Sequence, residues 1–426
     1  MSSSLEGGRA CSRSWGLARL ALVSVILLVL AVCTALAHGS SSVPKFVVVP
    51  IYYLTDRNLE GDTFGRRRRY QSNCLHRMFY GTAFVTVENS NHETPGRLFD
   101  GLGWKATDDH PKTIAPKDQI DPSRPRLGKR AFAALLKNAL DQAGTDKLCV
   151  YLHGAGESFE DACQDAAELA YCLRRPLVLY SWPSEPKLLD YVVDNGNSEW
   201  SQGHFNLFCR DLAAFKEMHP LRLILLAHSM GNRFIFRSIH FLYHEKLVSD
   251  CELISPDIDI DTCRHYLMGF RRVDNNTAIR LYVSKKDKML RLSQKLFGGY
   301  ARLGEDVQSN IVPSRGVQHL TIRKKAAQKE EKSNLSEADY AEQPDQSEST
   351  DTPEETTGAD VLERIDFTAV DKGFTGHSIP FQLVANMVNG NEPGQGLELV
   401  QDQADKLNSH LKVVRTSPPG PSTPQR

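Results

Sequence analysis

Three short runs constrain this chain more than anything else in it: "LCVYL" (148–152), "LVLYS" (177–181) and "LILLA" (223–227). None alternates polar with apolar residues, so none has a face that could meet water. Strands of that kind are buried on both sides, as in parallel sheets covered by helices. Between and after them lie "SFEDACQDAAELAYCL", "HFNLFCRDLAAF" and "NRFIFRSIHFLYHE", with apolar residues at helical spacing. Parallel strands need long crossovers, which these helices supply. The pattern predicts an α/β chain with a mostly parallel central sheet and helices on both faces. "FVVVPIYYLT", "GTAFVTVE", "CELIS", "AIRLYV" and "VLERIDFTAV" add strands; residues 92–128, polar and rich in Pro and Gly, read as a surface connection.

Other features set the boundaries. Arg9, Arg13 and Arg19 precede the apolar run from Leu20 to Ala37, which ends in Ala35-Leu36-Ala37. That is the layout of a signal peptide, and the run is also close to the length of an anchor. Residues 1–39 are therefore expected to be a leader, with the protein exported, periplasmic or secreted, or attached to a membrane through residues 20–37. Residues 44–323 form the first part of the domain. Residues 324–358, dominated by Glu, Ser, Thr, Asp and Gln, bury too little to offset the cost of ordering and read as a disordered acidic insertion. Residues 359–416 complete the domain, and 417–426 form a disordered tail.

The net charge of −1 gives no reason to expect nucleic acid. The one basic run, Arg66 to Arg69, reads as a solvated turn. Nine cysteines form no metal-ligand spacing, so no metal and no cofactor are expected.

The third strand runs directly into Ala227-His228-Ser229-Met230-Gly231. A residue at an abrupt strand-to-helix turn is held in a strained conformation with its side chain at the carboxyl edge of the sheet, and its neighbours must be small. That is the steric logic of the G-x-S-x-G elbow, here with alanine at the first position. Serine needs a base and an orienting acid to act as a nucleophile. For the acid, Asp287 follows the strand "AIRLYV", with Asp257 in "LISPDID" as the alternative. For the base, His377 sits in the late loop "DKGFTGHSIPF", whereas His319 lies in a strand-like stretch. The oxyanion donors would be the N–H groups of Met230, after the nucleophile, and Ala155, in the loop "HGAG". Trp182 is a candidate for lining a substrate pocket, or equally for packing in the core or under a lid.

"LHGAGESFEDACQDAAELAY", "LYSWPSE", "LLAHSMGNR", "ISPDIDID" and "LYVSKKDKMLRLSQKLFGG" together resemble a mainly bacterial, esterase- or lipase-like family of α/β-hydrolases of unknown function. The resemblance covers about residues 44–320 and 358–390. It implies an α/β-hydrolase fold and a triad of Ser229, Asp287 and His377, and it brings no substrate. The expected activity is hydrolysis of a small-molecule or lipid ester through an acyl-enzyme. The alternatives are a thioesterase or peptidase with the same triad, and an exported binding protein without catalysis.

Overall fold

A computed structural model of the chain describes residues 43–401, apart from 62, 70–77, 95, 108–112, 115–124, 187–189, 264–265, 267–276, 306–316, 325–361, 372, 374, 376 and 396. The strands are β1 (Phe46–Thr55), β2 (Arg57–Glu60), β3 (Thr63–Arg68), β4 (Phe79–Glu88), β5 (Lys105–Thr107), β6 (Thr113–Ile114), β7 (Lys147–Leu152), β8 (Leu177–Ser181), β9 (Arg222–His228), β10 (Val248–Ile254), β11 (Ala278–Val283), β12 (Val317–Lys324), β13 (Leu362–Asp366) and β14 (Leu397–Gln401). The helices are α1 (Arg97–Leu102), α2 (Pro125–Ala143), α3 (Phe159–Leu173), α4 (Tyr191–Met218), α5 (Asn232–His244), α6 (Lys288–Leu296) and α7 (Phe381–Val388).

The main sheet runs β14-β12-β13-β11-β10-β9-β7-β8-β1-β4-β6, with β5 pairing on the first residues of β1. Every pairing from β12 across to β1 is parallel; β14, β4 and β6 are antiparallel additions at the edges. Successive residues of a strand face opposite sides. Leu148, Val150 and Leu152 of β7 therefore pack with Phe132, Phe205 and Phe234 from α2, α4 and α5, while Cys149 and Tyr151 pack with Phe159, Ala166 and Val384 from α3 and α7. Leu225 and Leu226 of β9 divide between the two cores in the same way. This is the expected α/β architecture, and it puts the carboxyl ends of β7, β9, β10, β11 and β13 along one edge, where ligands of such sheets bind.

Three local expectations change. Residues 92–128 hold α1, β5, β6 and the start of α2 rather than a plain connection. Helix α4 begins at Tyr191, well before "HFNLFCRDLAAF"; its first half, "YVVDNGNSEWSQG", shows no apolar stripe because its buried face is polar, with Asp194, Asn197, Ser198 and Ser201 inside. Arg66 to Arg68 form a strand, not a solvated turn: Arg66 donates to the Gly156 carbonyl at 3.0 Å and Arg68 to Asn197 Oδ1 at 2.6 Å, and Arg69 lies over the Phe79 ring. A guanidinium can pair with carbonyls and rings at once, which a count of charges along the sequence does not reveal.

Cys149, Cys163, Cys172, Cys209, Cys251 and Cys263 are buried and behave as small core residues. The leader, the acidic insertion apart from Lys324, which ends β12, and the tail lie outside the described residues, and no helix among the described residues is long and apolar enough to cross a membrane.

Candidate active site

Strand β9 ends at His228, a single 3₁₀ turn spans Ser229–Gly231, and α5 follows immediately. Ser229 takes φ +50°, the left-handed region that costs a residue with a side chain about 1–2 kcal/mol. The surroundings hold it there. Asn232 Nδ2 donates to the carbonyls of Ala227 (3.1 Å) and Ser229 (3.0 Å) on its own turn, and the Asp257 N–H donates to the Ser229 carbonyl at 3.1 Å. Gly231 has to be glycine. A Cβ there would stand 2.4 Å from the Leu152 carbonyl oxygen and 2.6 Å from that of His153, both backbone atoms of the neighbouring strand end.

Asp287 is buried at the N-cap of α6, and its two oxygens have different partners. Oδ1 accepts the Leu290 N–H at 2.9 Å, and Oδ2 faces His377 Nδ1 at 2.7 Å. The loop carrying His377 is fastened to the loop carrying Asp287. Thr375 accepts from the Lys288 N–H at 2.8 Å, and Asp371 accepts from Ser284 Oγ (2.7 Å), Ser378 Oγ (2.9 Å) and the Gly373 N–H (3.0 Å). It is also fastened to the elbow: His228 Nε2 donates to the His377 carbonyl at 3.0 Å, and the two imidazoles lie 4.8 Å apart. Ser229 Oγ has no hydrogen bond among the described residues.

The alternative acid is committed elsewhere. Asp257 is fully buried and accepts from Arg233 Nη2 (2.7 Å), Ser293 Oγ (2.6 Å) and the Tyr191 hydroxyl, with Arg302 Nε at 3.4 Å. Burial works against its charge, but Arg233, Arg302 and the two hydroxyls outweigh that and hold its carboxyl below the ordinary range. The alternative base, His319, stands within β12 opposite Arg364 of β13.

The loop after β7 carries Gly154, Ala155 and Gly156. The Gly154 N–H is taken by Glu157 Oε1 at 2.9 Å and the Gly156 N–H by Ser184 Oγ at 2.6 Å, while the Ala155 N–H between them has no partner among the described residues. Met230 is buried in the turn that opens α5, where N–H groups lack partners within the helix. Gly154 closes on the elbow: a Cβ on it would lie 3.2 Å from Ser229 Cβ.

Of the two roles open to Trp182, its surroundings are those of the core. It is fully buried, its ring lies parallel to that of His153 with centroids 5.0 Å apart, and its Nε1–H donates to the His153 carbonyl at 3.0 Å. His153 Nε2 lies 3.1 Å from both the Trp182 N–H and the Trp182 carbonyl and 3.2 Å from Arg57 Nη2, and Nδ1 lies 2.7 Å from the Gly154 carbonyl. Burial pushes its pKa down to about 4 against the pull of Glu157. Arg57, also fully buried and lowered by burial to about 10, reaches Ser181 Oγ and the Glu157 carbonyl. Glu157 itself is held below the ordinary range: burial pushes it up, but His228, His153 and the Gly154 N–H outweigh that.

Sequence reasoning gave no role to Glu157, Arg57, Asn232 or Asp371. Asn232 follows the elbow directly in "AHSMGN" and could have been read as its staple; the others become neighbours of the site only through the fold.

No curated protein and no solved structure matches the chain. The family model of alpha/beta hydrolases of unknown function (DUF900) matches residues 129–348, more than half of the chain. The match takes in Ser229 and Asp287 and ends before His377. The chain belongs to this family of alpha/beta hydrolases, which makes it a hydrolase of a kind the family does not specify.

Proposed function

We propose that the chain is a serine-dependent carboxylic ester hydrolase using Ser229, Asp287 and His377, with the N–H groups of Met230 and Ala155 as the oxyanion hole. The observation that carries this is the 2.7 Å pairing of His377 Nδ1 with an aspartate whose other oxygen is fixed at a helix N-cap. A buried carboxylate in that position keeps the hydrogen on Nδ1, which leaves Nε2 free to accept a proton.

His377 Nε2 would take the proton from Ser229 Oγ as the oxygen attacks the ester carbonyl, and Asp287 stabilises the imidazolium. The tetrahedral oxyanion would be met by the two amides. Its collapse breaks the bond to the alcohol, which leaves with the proton from His377. A water molecule, deprotonated by the same imidazole, then attacks the acyl-Ser229 ester, and serine and carboxylic acid are released. The run of residues 20–37 adds the reading that this takes place after export, either free or at a membrane surface.

The test is turnover of p-nitrophenyl esters from acetate to palmitate by the full chain, beside Ser229→Ala and His377→Ala, with labelling by a fluorophosphonate. Activity and labelling lost in both variants support the reading. An inert parent that resists the probe would overturn it, and turnover of thioesters or peptides alone would move the chain to those classes.

A further inference from the structure

Two polar atoms beside the elbow are buried without a hydrogen-bond partner: His228 Nδ1 and Glu157 Oε2. They belong to side chains that face one another, with His228 Nδ1 3.7 Å from Glu157 Oε1. Buried polar atoms are ordinarily satisfied, so such a pair calls for an explanation. The triad does not use either residue.

We infer that His228 and Glu157 form a positioning pair that sets the nucleophile, the base and the oxyanion loop relative to one another. The inference rests on the reading of Ser229, Asp287 and His377 as the triad. A carbonyl oxygen can only accept, so His228 Nε2 carries a hydrogen and donates it to the His377 carbonyl at 3.0 Å. His228 is covalently joined to Ser229, and that bond therefore links the backbone of the nucleophile to the backbone of the base in one step. The other side of the His228 ring faces Glu157 across 3.7 Å, beyond hydrogen-bond reach, and Glu157 Oε1 accepts the Gly154 N–H at 2.9 Å, next to the Ala155 amide. One carboxylate thus refers both the oxyanion donor and, through His228, the base to a common point. The fit is close: a Cβ on Gly154 would lie 3.0 Å from His228 Nδ1 and 3.2 Å from Glu157 Oε1. His153 lies behind Glu157, with Nδ1 3.9 Å from Oε2, and is satisfied by its own bonds.

The pair touches no reacting atom, so its removal should lower kcat and leave KM nearly unchanged. Misplacement of a base costs rate rather than ground-state binding. The experiment uses the full chain, steady-state hydrolysis of a p-nitrophenyl ester, and the downfield proton resonance of the His377 Nδ1–H bonded to Asp287. In His228→Ala the expected outcome is about a tenfold loss of kcat, the equivalent of one net hydrogen bond, with KM within about twofold. The resonance should broaden or disappear. His228→Gln, whose side-chain amide N–H can reach the His377 carbonyl, should restore most of the rate and the resonance. Glu157→Gln, which keeps an acceptor for Gly154, should lose less than Glu157→Ala. The double alanine variant should be no worse than the worse single, since both act through one linkage.

An unchanged resonance with unchanged kcat in His228→Ala would overturn the inference. So would equal impairment of His228→Gln and His228→Ala, or losses that multiply in the double variant. The resonance needs no turnover, so a parent that hydrolyses no ester would count against the ester reading while the resonance still decides the pair.

Discussion

Replacing Asp287 with asparagine should leave the fold standing and disable the site. Oδ1 of Asp287 caps α6 by accepting the Leu290 N–H, and Oδ2 holds His377 Nδ1. Asparagine is as good an N-cap as aspartate, so the helix keeps its cap if the amide oxygen takes the Oδ1 position. That orientation turns the NH2 group toward His377 Nδ1, which must then accept, and the ring hydrogen moves to Nε2, the nitrogen needed as base. The lost charge matters as well. An imidazolium centred about 4 Å from the carboxylate, at an effective dielectric of about 20, loses roughly 4 kcal/mol of stabilisation, about three orders of magnitude in rate. With the wrong tautomer added, kcat/KM should fall by about 10⁴. Asp287→Ala removes the cap too and should cost about 1 kcal/mol more, near 2 °C of melting temperature for a domain of this size. The assay pairs ester hydrolysis with thermal unfolding. Asp287→Asn keeping more than a hundredth of parental kcat/KM, or melting more than 5 °C lower, would refute the reasoning.

Asp257→Asn should behave in the opposite way: it leaves Arg233 and Arg302 buried without their counter-charge, so a loss of about 3–5 kcal/mol in unfolding free energy should precede any specific effect on rate. Gly231→Ala should cost about 2 kcal/mol or more, because its Cβ meets backbone carbonyls that cannot step aside; denaturant unfolding would measure it. His153 makes stability depend on pH. Its folded pKa of about 4 lies below the unfolded value of about 6.5, so the folded chain binds fewer protons in that window and its stability, full above pH 6.5, falls toward pH 4. His153→Gln should lessen the drop in melting temperature between pH 7 and pH 5, and an undiminished drop would show that other groups cause it.

The sheet was legible because its strands are uniformly apolar and its crossover helices keep a helical period, as in "LRLILLAH" and "NRFIFRSIHFLYHE". The elbow was legible because its sterics leave a local signature. Helix α4 hid its first half by burying Asp194, Asn197 and Ser201 on its inner face, where Asp194 accepts from Asn197 and from Ser184 in the β8–α4 loop. The sequence left Trp182 open between pocket and core for a related reason: its indole N–H finds a carbonyl inside the core, so an amphipathic ring needs no wet edge there. Glu157 meets Gly154 close by in sequence, but it meets His228 only because β7 and β9 are neighbours, and no spacing along the chain announces that.

Strand β13 is wedged between β11 and β12, although β12 precedes it in the chain. A single cut anywhere between Lys324 and Leu362 would leave Ser229 and Asp287 on one fragment and His377 on the other. The smaller piece would be gripped along both sides of β13 by strands of the larger, and again where β14 pairs with β12. On the proposed triad, a nicked chain should then be a two-part enzyme whose activity becomes concentration-dependent, lost on dilution and regained when the halves are mixed.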